Sequence, residues 1–198
     1  MRNSLLICLL ASAPIFTGCG RETHREAVAL CQVLEKNQPN YNTANGMERD
    51  LVASTRGWTE TIMTAGAGKG AELTQNAAVA KELAKSADLI STSLGELRKT
   101  IYDQDIQKEE LQTVRTTINA QISKRQKFLS EIRVVLLETA DQFDGLAQSR
   151  AYKGDTYPAG IDKLSHMLQS YHSPEDAVRQ AIESLKSDYG IKGSTGRV

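Results

Sequence analysis

Between residues 83 and 101 the apolar side chains recur every three or four positions without a gap: Leu83, Ala87, Ile90, Leu94, Leu97 and Ile101. An α-helix returns to the same face every 3.6 residues, so this series is one stripe on one helix, and the stripe needs an apolar partner to cover it. A second series follows at Leu111, Val114, Ile118, Ile122, Leu129, Ile132, Leu136, Phe143 and Leu146. Two successive steps of four around Ile118 act as a stutter, which predicts a helix straightened relative to a supercoil. The periodicity breaks at Tyr102-Asp103-Gln104-Asp105. A helix over 106–150 would span roughly 65 Å at about 1.5 Å per residue. The break contains neither Gly nor Pro, so one rod over 72–150 has the same periodicity. A hairpin at 102–105 is preferred, because a rod would find no other long helix in the chain to cover its stripe.

The flanking segments read as shorter helices. Residues 22–36 place Ala27, Leu30, Cys31 and Leu34 on one face, and Pro39 is expected to end that helix. Asn45-Gly46-Met47-Glu48 resembles a helix start, with a capping amide and an acid three residues on. The helix expected over 45–64 carries Leu51, Thr55, Trp58 and Ile62 on one face and stops in the glycine-rich run 65–70. After Gly154-Asp155-Thr156-Tyr157-Pro158, two further amphipathic stretches follow. Ile161, Leu164, Leu168 and Tyr171 line the first; Val178, Ile182, Leu185 and Tyr189 line the second. Ser173-Pro174-Glu175-Asp176 is read as the start of the last helix and Gly190 as its end. The chain is therefore expected to be all-α: a long antiparallel coiled-coil-like hairpin within a bundle over 19–151, a C-terminal helix pair over 152–190 packed on it, and a small flexible tail at 191–198.

Composition narrows the chemistry. Aromatic residues make up 5% of the chain and basic and acidic side chains number 24 each, so no concentrated positive face for nucleic acid is expected. Gly66-Ala67-Gly68-Lys69-Gly70 superficially resembles a phosphate loop. That motif requires glycine where Met63 stands and a hydroxyl residue where Gly70 stands, so an interhelical loop is the better reading. Asp162 and His166 sit four apart on one helix face, but two ligands do not make a metal site. No serine or cysteine stands in a nucleophile setting, and no carboxylate pair singles itself out. No catalytic residue, cofactor or metal is expected, and the chain is read as a non-enzyme.

The N-terminus carries the one specific motif. Arg2 is followed by an apolar run from Ser4 to Phe16, interrupted by Pro14, and then by Phe16-Thr17-Gly18-Cys19. These twenty residues resemble the precursor of a bacterial lipoprotein, in which a lipobox is cut just before a cysteine that carries a diacylglyceryl group. Phe16 stands where leucine is usual. The run is too short for a transmembrane helix, which takes about 20 apolar residues. An ordinary secretory cut after Ala11-Ser12-Ala13 would leave Pro14 obstructing the peptidase. The resemblance implies a signal peptide over 1–18, cleavage between Gly18 and Cys19, and lipid on Cys19. Gly20 and Arg21, in place of an aspartate after the cysteine, imply the outer membrane, facing the periplasm. Cleavage would remove Cys8, and lipid would occupy Cys19, leaving Cys31 as a lone thiol that closes no intramolecular bridge.

A helical surface held at a membrane is what the residues then imply. The expected role is an envelope scaffold or protein-interaction module, with a protein partner or a second copy meeting the helical faces. The alternative is a periplasmic module binding a small or peptide ligand in a pocket among Tyr152, Tyr157 and Tyr171.

Overall fold

The computed structural model describes residues 18–149, 152, 156–172 and 176–191. The described residues form five helices: α1 Gly18–Ala65, α2 Ala71–Tyr102, α3 Glu109–Gln148, α4 Ala159–Gln169 and α5 Ala177–Tyr189. Among the described residues there is no strand. The chain is an all-α helical bundle.

The largest departure from the sequence reading lies in α1. The two helices expected over 22–36 and 45–64 are one helix, with Pro39 in its interior. Proline removes one backbone hydrogen bond and crowds the preceding turn, at a cost of about 3 kcal/mol. Against that stands a buried stripe that crosses the proline in phase: Ala27, Leu30, Leu34, Tyr41, Ala44, Leu51 and Ile62 are all buried. Each fully buried large apolar side chain contributes about 1.5–3 kcal/mol, so packing outweighs the local penalty. Asn37 Nδ2 also donates to the Val33 carbonyl at 2.8 Å, and Thr43 Oγ1 to the Pro39 carbonyl at 3.0 Å. Asn45 accordingly lies inside the helix rather than at its cap.

The expected hairpin between the two long helices forms. α2 stops at Tyr102 and α3 begins at Glu109, three residues later than the expected 106. The two run antiparallel, with Lys81 on Asp144 at 2.8 Å, Asp88 on Arg133 at 3.3 Å and Gln126 Nε2 donating to the Ser91 carbonyl at 3.0 Å. Ala87, Ile90, Leu94 and Ile101 on α2 and Ile122, Leu129, Ile132, Leu136 and Phe143 on α3 are sealed from solvent. The glycine-rich run is a loop in which Gly66, Gly68 and Gly70 take positive φ. Trp58 Nε1 donates to Asn76 Oδ1 at 3.0 Å, and Asn76 Nδ2 donates to the Ala67 carbonyl at 3.1 Å, fastening that loop to both helices.

α4 and α5 complete the bundle. α2 packs on α1 and α3 along one side, while α4 and α5 pack on the same two helices along the other. Gly160 at the start of α4 meets Gln142 of α3, Arg56 of α1 donates to the Leu168 carbonyl at 3.1 Å, and Lys186 near the end of α5 pairs with Glu35. The arrangement is an up-down-up-down four-column bundle whose fourth column is broken between residues 169 and 177. Gly160 is where α4 comes closest to α3: a β-carbon there would stand 1.9 Å from Thr139 Oγ1. Asp176 accepts from Arg179 N at 3.0 Å and caps α5, and Gly190 closes it at φ 61°. Ser173 to Glu175, expected to start this helix, and the tail from 192 lie outside the described residues.

Leu94, Ile132 and Phe143 are all fully buried, so the stripe is a core at all three levels. Placing a charge there leaves it unpaired in an apolar interior. Leu94→Asp, Ile132→Asp and Phe143→Asp should each cost about 3 kcal/mol or more in urea melts. A near-parental melt for Phe143→Asp would mean that this end of the stripe is not core.

Candidate functional site

Polar side chains in the interior mark the break in the fourth column. On α1, Tyr41, Asn45 and Glu48 follow one another at steps of four and three, so they share one face of the helix. On α3, Arg125 falls in the same stripe as Ile118, Ile122, Leu129 and Ile132, and its stem continues that apolar row. Its guanidinium crosses the interior to α1. Nε donates to Glu48 Oε2 at 2.8 Å, and Nη2 donates to the same oxygen. Glu48 is 1% exposed and Arg125 5% exposed, which makes this a fully desolvated ion pair. The guanidinium carbon also stands 5.1 Å over the ring of Tyr41, a cation–π contact.

The chain between α4 and α5 supplies the lid of this cluster. Tyr171 OH donates to Glu48 Oε1 at 3.1 Å, and its ring lies 4.9 Å from that of Phe128. Desolvation first, and then the Glu48 carboxylate, push the Tyr171 phenol well above its ordinary value. Tyr41 is raised as well, mainly by burial, with Arg125 acting in the opposite direction. Two buried atoms are left without a hydrogen-bond partner here, Asn45 Oδ1 and Arg125 Nη1.

A second concentration of contacts lies where α1 begins. Glu26 Oε2 accepts from the backbone N–H groups of Gln107 and Lys108 at 3.0 and 3.1 Å, capping the start of α3 from another helix. Lys108 Nζ is 3.4 Å from Glu22. Arg115 Nη1 donates to the Gln104 carbonyl at 2.8 Å and its guanidinium stacks 5.4 Å from the Tyr102 ring. Tyr189 OH meets Glu110 at 3.4 Å, so the end of α5 arrives at the same pole.

The residues singled out from sequence fall as follows. Gly18 and Cys19 belong to the first turn of α1; their side chains, and the whole of residues 1–17, lie outside the described residues. Cys31 is buried, and burial together with Glu35 raises its thiol above the ordinary range. The three tyrosine hydroxyls take different partners: Tyr152 OH donates to the Thr156 carbonyl, Tyr157 OH to Asp162 at 3.2 Å and Tyr171 OH to Glu48. In the glycine loop the Lys69 N–H donates to Glu72 Oε2 at 3.0 Å, so a carboxylate holds the amide a phosphate would take. Among the described residues no three His, Cys, Asp or Glu side chains come together as a metal site, and no helix is long and apolar enough to cross a membrane.

The Glu48–Arg125–Tyr171 cluster is absent from the sequence reading. Glu48 is there taken for a helix-start acid, and Arg125 is not singled out. The one available signal is that Arg125 sits in phase with Ile118, Ile122, Leu129 and Ile132. Set against protein-family models, curated proteins and solved structures, the chain finds no match in any of the three comparisons.

Two measurements follow from the cluster. Glu48→Ala strands the guanidinium and should cost about 3–5 kcal/mol, whereas Glu48→Leu combined with Arg125→Met should cost much less, because no buried charge is left unpaired. Urea melts of both variants decide; equal losses would show that packing, not charge, is at stake. The folded-state Tyr171 phenol ionises above its unfolded value near 10. Its stabilisation is therefore whole below about pH 10 and is lost as the pH rises beyond it. Tyr171→Phe should flatten the loss of stability as the pH rises above about 10. An unchanged alkaline slope would contradict this assignment.

Proposed function

We propose that the chain is a lipid-anchored bacterial envelope protein, cleaved between Gly18 and Cys19 and held through a diacylglyceryl group on Cys19. Its bundle serves as a non-enzymatic scaffold or protein-interaction module, facing the periplasm from the outer membrane. The observation that carries this reading is the Phe16-Thr17-Gly18-Cys19 motif behind a short basic-then-apolar leader. The fold supports it in one respect. The helix that starts at Gly18 is the longest of the bundle, and within two turns of Cys19 its Glu22 and Glu26 are bonded to the α2–α3 turn.

An anchor on Cys19 would thus act on the bundle directly. It would set the pole with Glu26, Lys108 and Tyr189 next to the bilayer. The α1–α2 loop at 65–71 would stand about 70 Å away along α1. A column of this kind suits display of a helical surface at a distance from the membrane. Anchoring through the diacylglyceryl chains would be firm, since two chains bind far more strongly than one.

Metabolic labelling with a fatty-acid analogue tests the anchor. The parent chain should label and fractionate with membranes, and Cys19→Ala should lose the label and accumulate as uncleaved precursor. Undiminished labelling of Cys19→Ala would remove the basis of this function.

A further inference from the structure

The last turns of α2 carry charges that are not spent on one another. Beside the α2–α3 turn an open groove of about 290 Å³ is lined by Gly95, Arg98, Lys99, Tyr102, Asp103 and Gln126. Lys99 and Asp103 stand four apart, the spacing of a helical ion pair. Yet among the described residues neither of them, nor Arg98, belongs to an ion pair. Arg98 is steered by a neutral group instead: its Nη1 donates to Gln126 Oε1 at 3.4 Å, and Gln126 Nε2 is tied to the Ser91 carbonyl at 3.0 Å. Gly95 keeps the floor low, since a β-carbon there would stand 3.1 Å from Gln126 Nε2. Tyr102, the last residue of α2 and 65% exposed, supplies an aromatic wall.

Two cations and one carboxylate within two turns of helix suit a zwitterion better than a simple anion. An anion alone would meet Asp103 as a like charge, whereas a phosphate tethered to an ammonium sets each charge against its opposite. The volume is at the small end of ligand sites, fit for a headgroup and not for a hydrocarbon chain. The groove runs back about 10 Å along α2 from the turn. Glu22 and Glu26, within two turns of Cys19, bond to that same turn through Gln107 and Lys108. We infer that the groove binds the phosphoethanolamine headgroup of a membrane phospholipid, with the phosphate on Arg98 and Lys99 and the ammonium on Asp103. The inference rests on the proposed anchor at Cys19 for bringing this pole to the bilayer; the charge pattern of the groove does not.

Soluble probes test the chemistry. The protein as cells produce it, held in detergent, is titrated with O-phosphoethanolamine, inorganic phosphate, ethanolamine or phosphocholine, and amide shifts are followed by NMR. O-Phosphoethanolamine should saturate shifts at residues 95–103 and 126 and bind about tenfold or more tightly than each other probe, the effect of one added charge-assisted contact. Arg98→Gln with Lys99→Gln, both at exposed positions, should abolish that binding, and Asp103→Asn should reduce it to the level of inorganic phosphate. Equal binding of all four probes, shifts confined to other residues, or no saturation would overturn the inference. A second arm tests the source. A photoreactive benzoylphenylalanine placed at Tyr102 should crosslink in cells to ethanolamine phospholipid beyond its share of the membrane. Crosslinks in proportion to bulk lipid, or none to lipid, would refute the headgroup assignment. The anchor fails separately: headgroup binding by a chain that takes no lipid label at Cys19 refutes the anchor alone, and a labelled chain without headgroup binding refutes the groove alone.

Discussion

The seam between α2 and α3 is the contact on which the rest of the bundle is built. It joins two helices of 32 and 40 residues that are neighbours in sequence, so its contacts close over a short turn and carry little loop entropy. The seam is graded. After Leu73, its α2 side runs through Ala77, Ala80, Ala84 and Ala87 and passes to Ile90, Leu94, Leu97 and Ile101. Small residues let neighbouring helices approach closely near the glycine loop, and large ones fill the bundle towards the Tyr102 turn. A hairpin of this kind covers only one side of each stripe. α1 and the α4–α5 column have to close the other sides, and the long uninterrupted α1 is the consequence.

The Glu48–Arg125 pair joins α1 to α3 through the interior of that arrangement. Its worth as stabilisation is small or negative when compared with well-packed apolar residues, because desolvating two charges costs several kcal/mol for each ion. Its effect is on register. A guanidinium that must meet one carboxylate permits one height of α1 against α3, while an Ala, Leu and Ile core tolerates slippage by a turn. Tyr171 extends the same constraint to the C-terminal column, since its hydroxyl is satisfied only where Glu48 Oε1 stands. One carboxylate thus aligns three of the four columns.

The fold class, the α2–α3 hairpin and the end of α5 at Gly190 were legible in the periodicity, because the apolar repeat and the buried face are the same physical fact. Pro39 and Asn45 misled for an equally physical reason. Proline and a capping amide are local signals, whereas the fate of α1 was decided by packing over its whole length. The information was present in phase: Leu34, Tyr41, Glu48 and Thr55 are seven residues apart, as one continuous stripe demands. The ion pair was harder to read. Glu48 and Arg125 are 77 residues apart, and nothing in either neighbourhood names the other. Gly18 and Cys19 stood out from the sequence by resemblance to a processing motif, which is a matter of local residue chemistry and not of packing.

The break in the fourth column has a mechanical meaning. α1 starts and α5 ends at the same pole, with Lys186 on Glu35 and Tyr189 on Glu110 as the outermost grips. Tension applied between those two ends would not shear the columns past each other. It would peel α5 from its near end, turn by turn, until the tear met Tyr171 and the ion pair beneath it. There the load would pass from the buried face of α5, Val178, Ile182 and Leu185, to a single desolvated knot, beyond which α2, α3 and most of α1 remain zipped. The chain is thus built to yield by a hinged flap of thirteen residues before it yields as a whole.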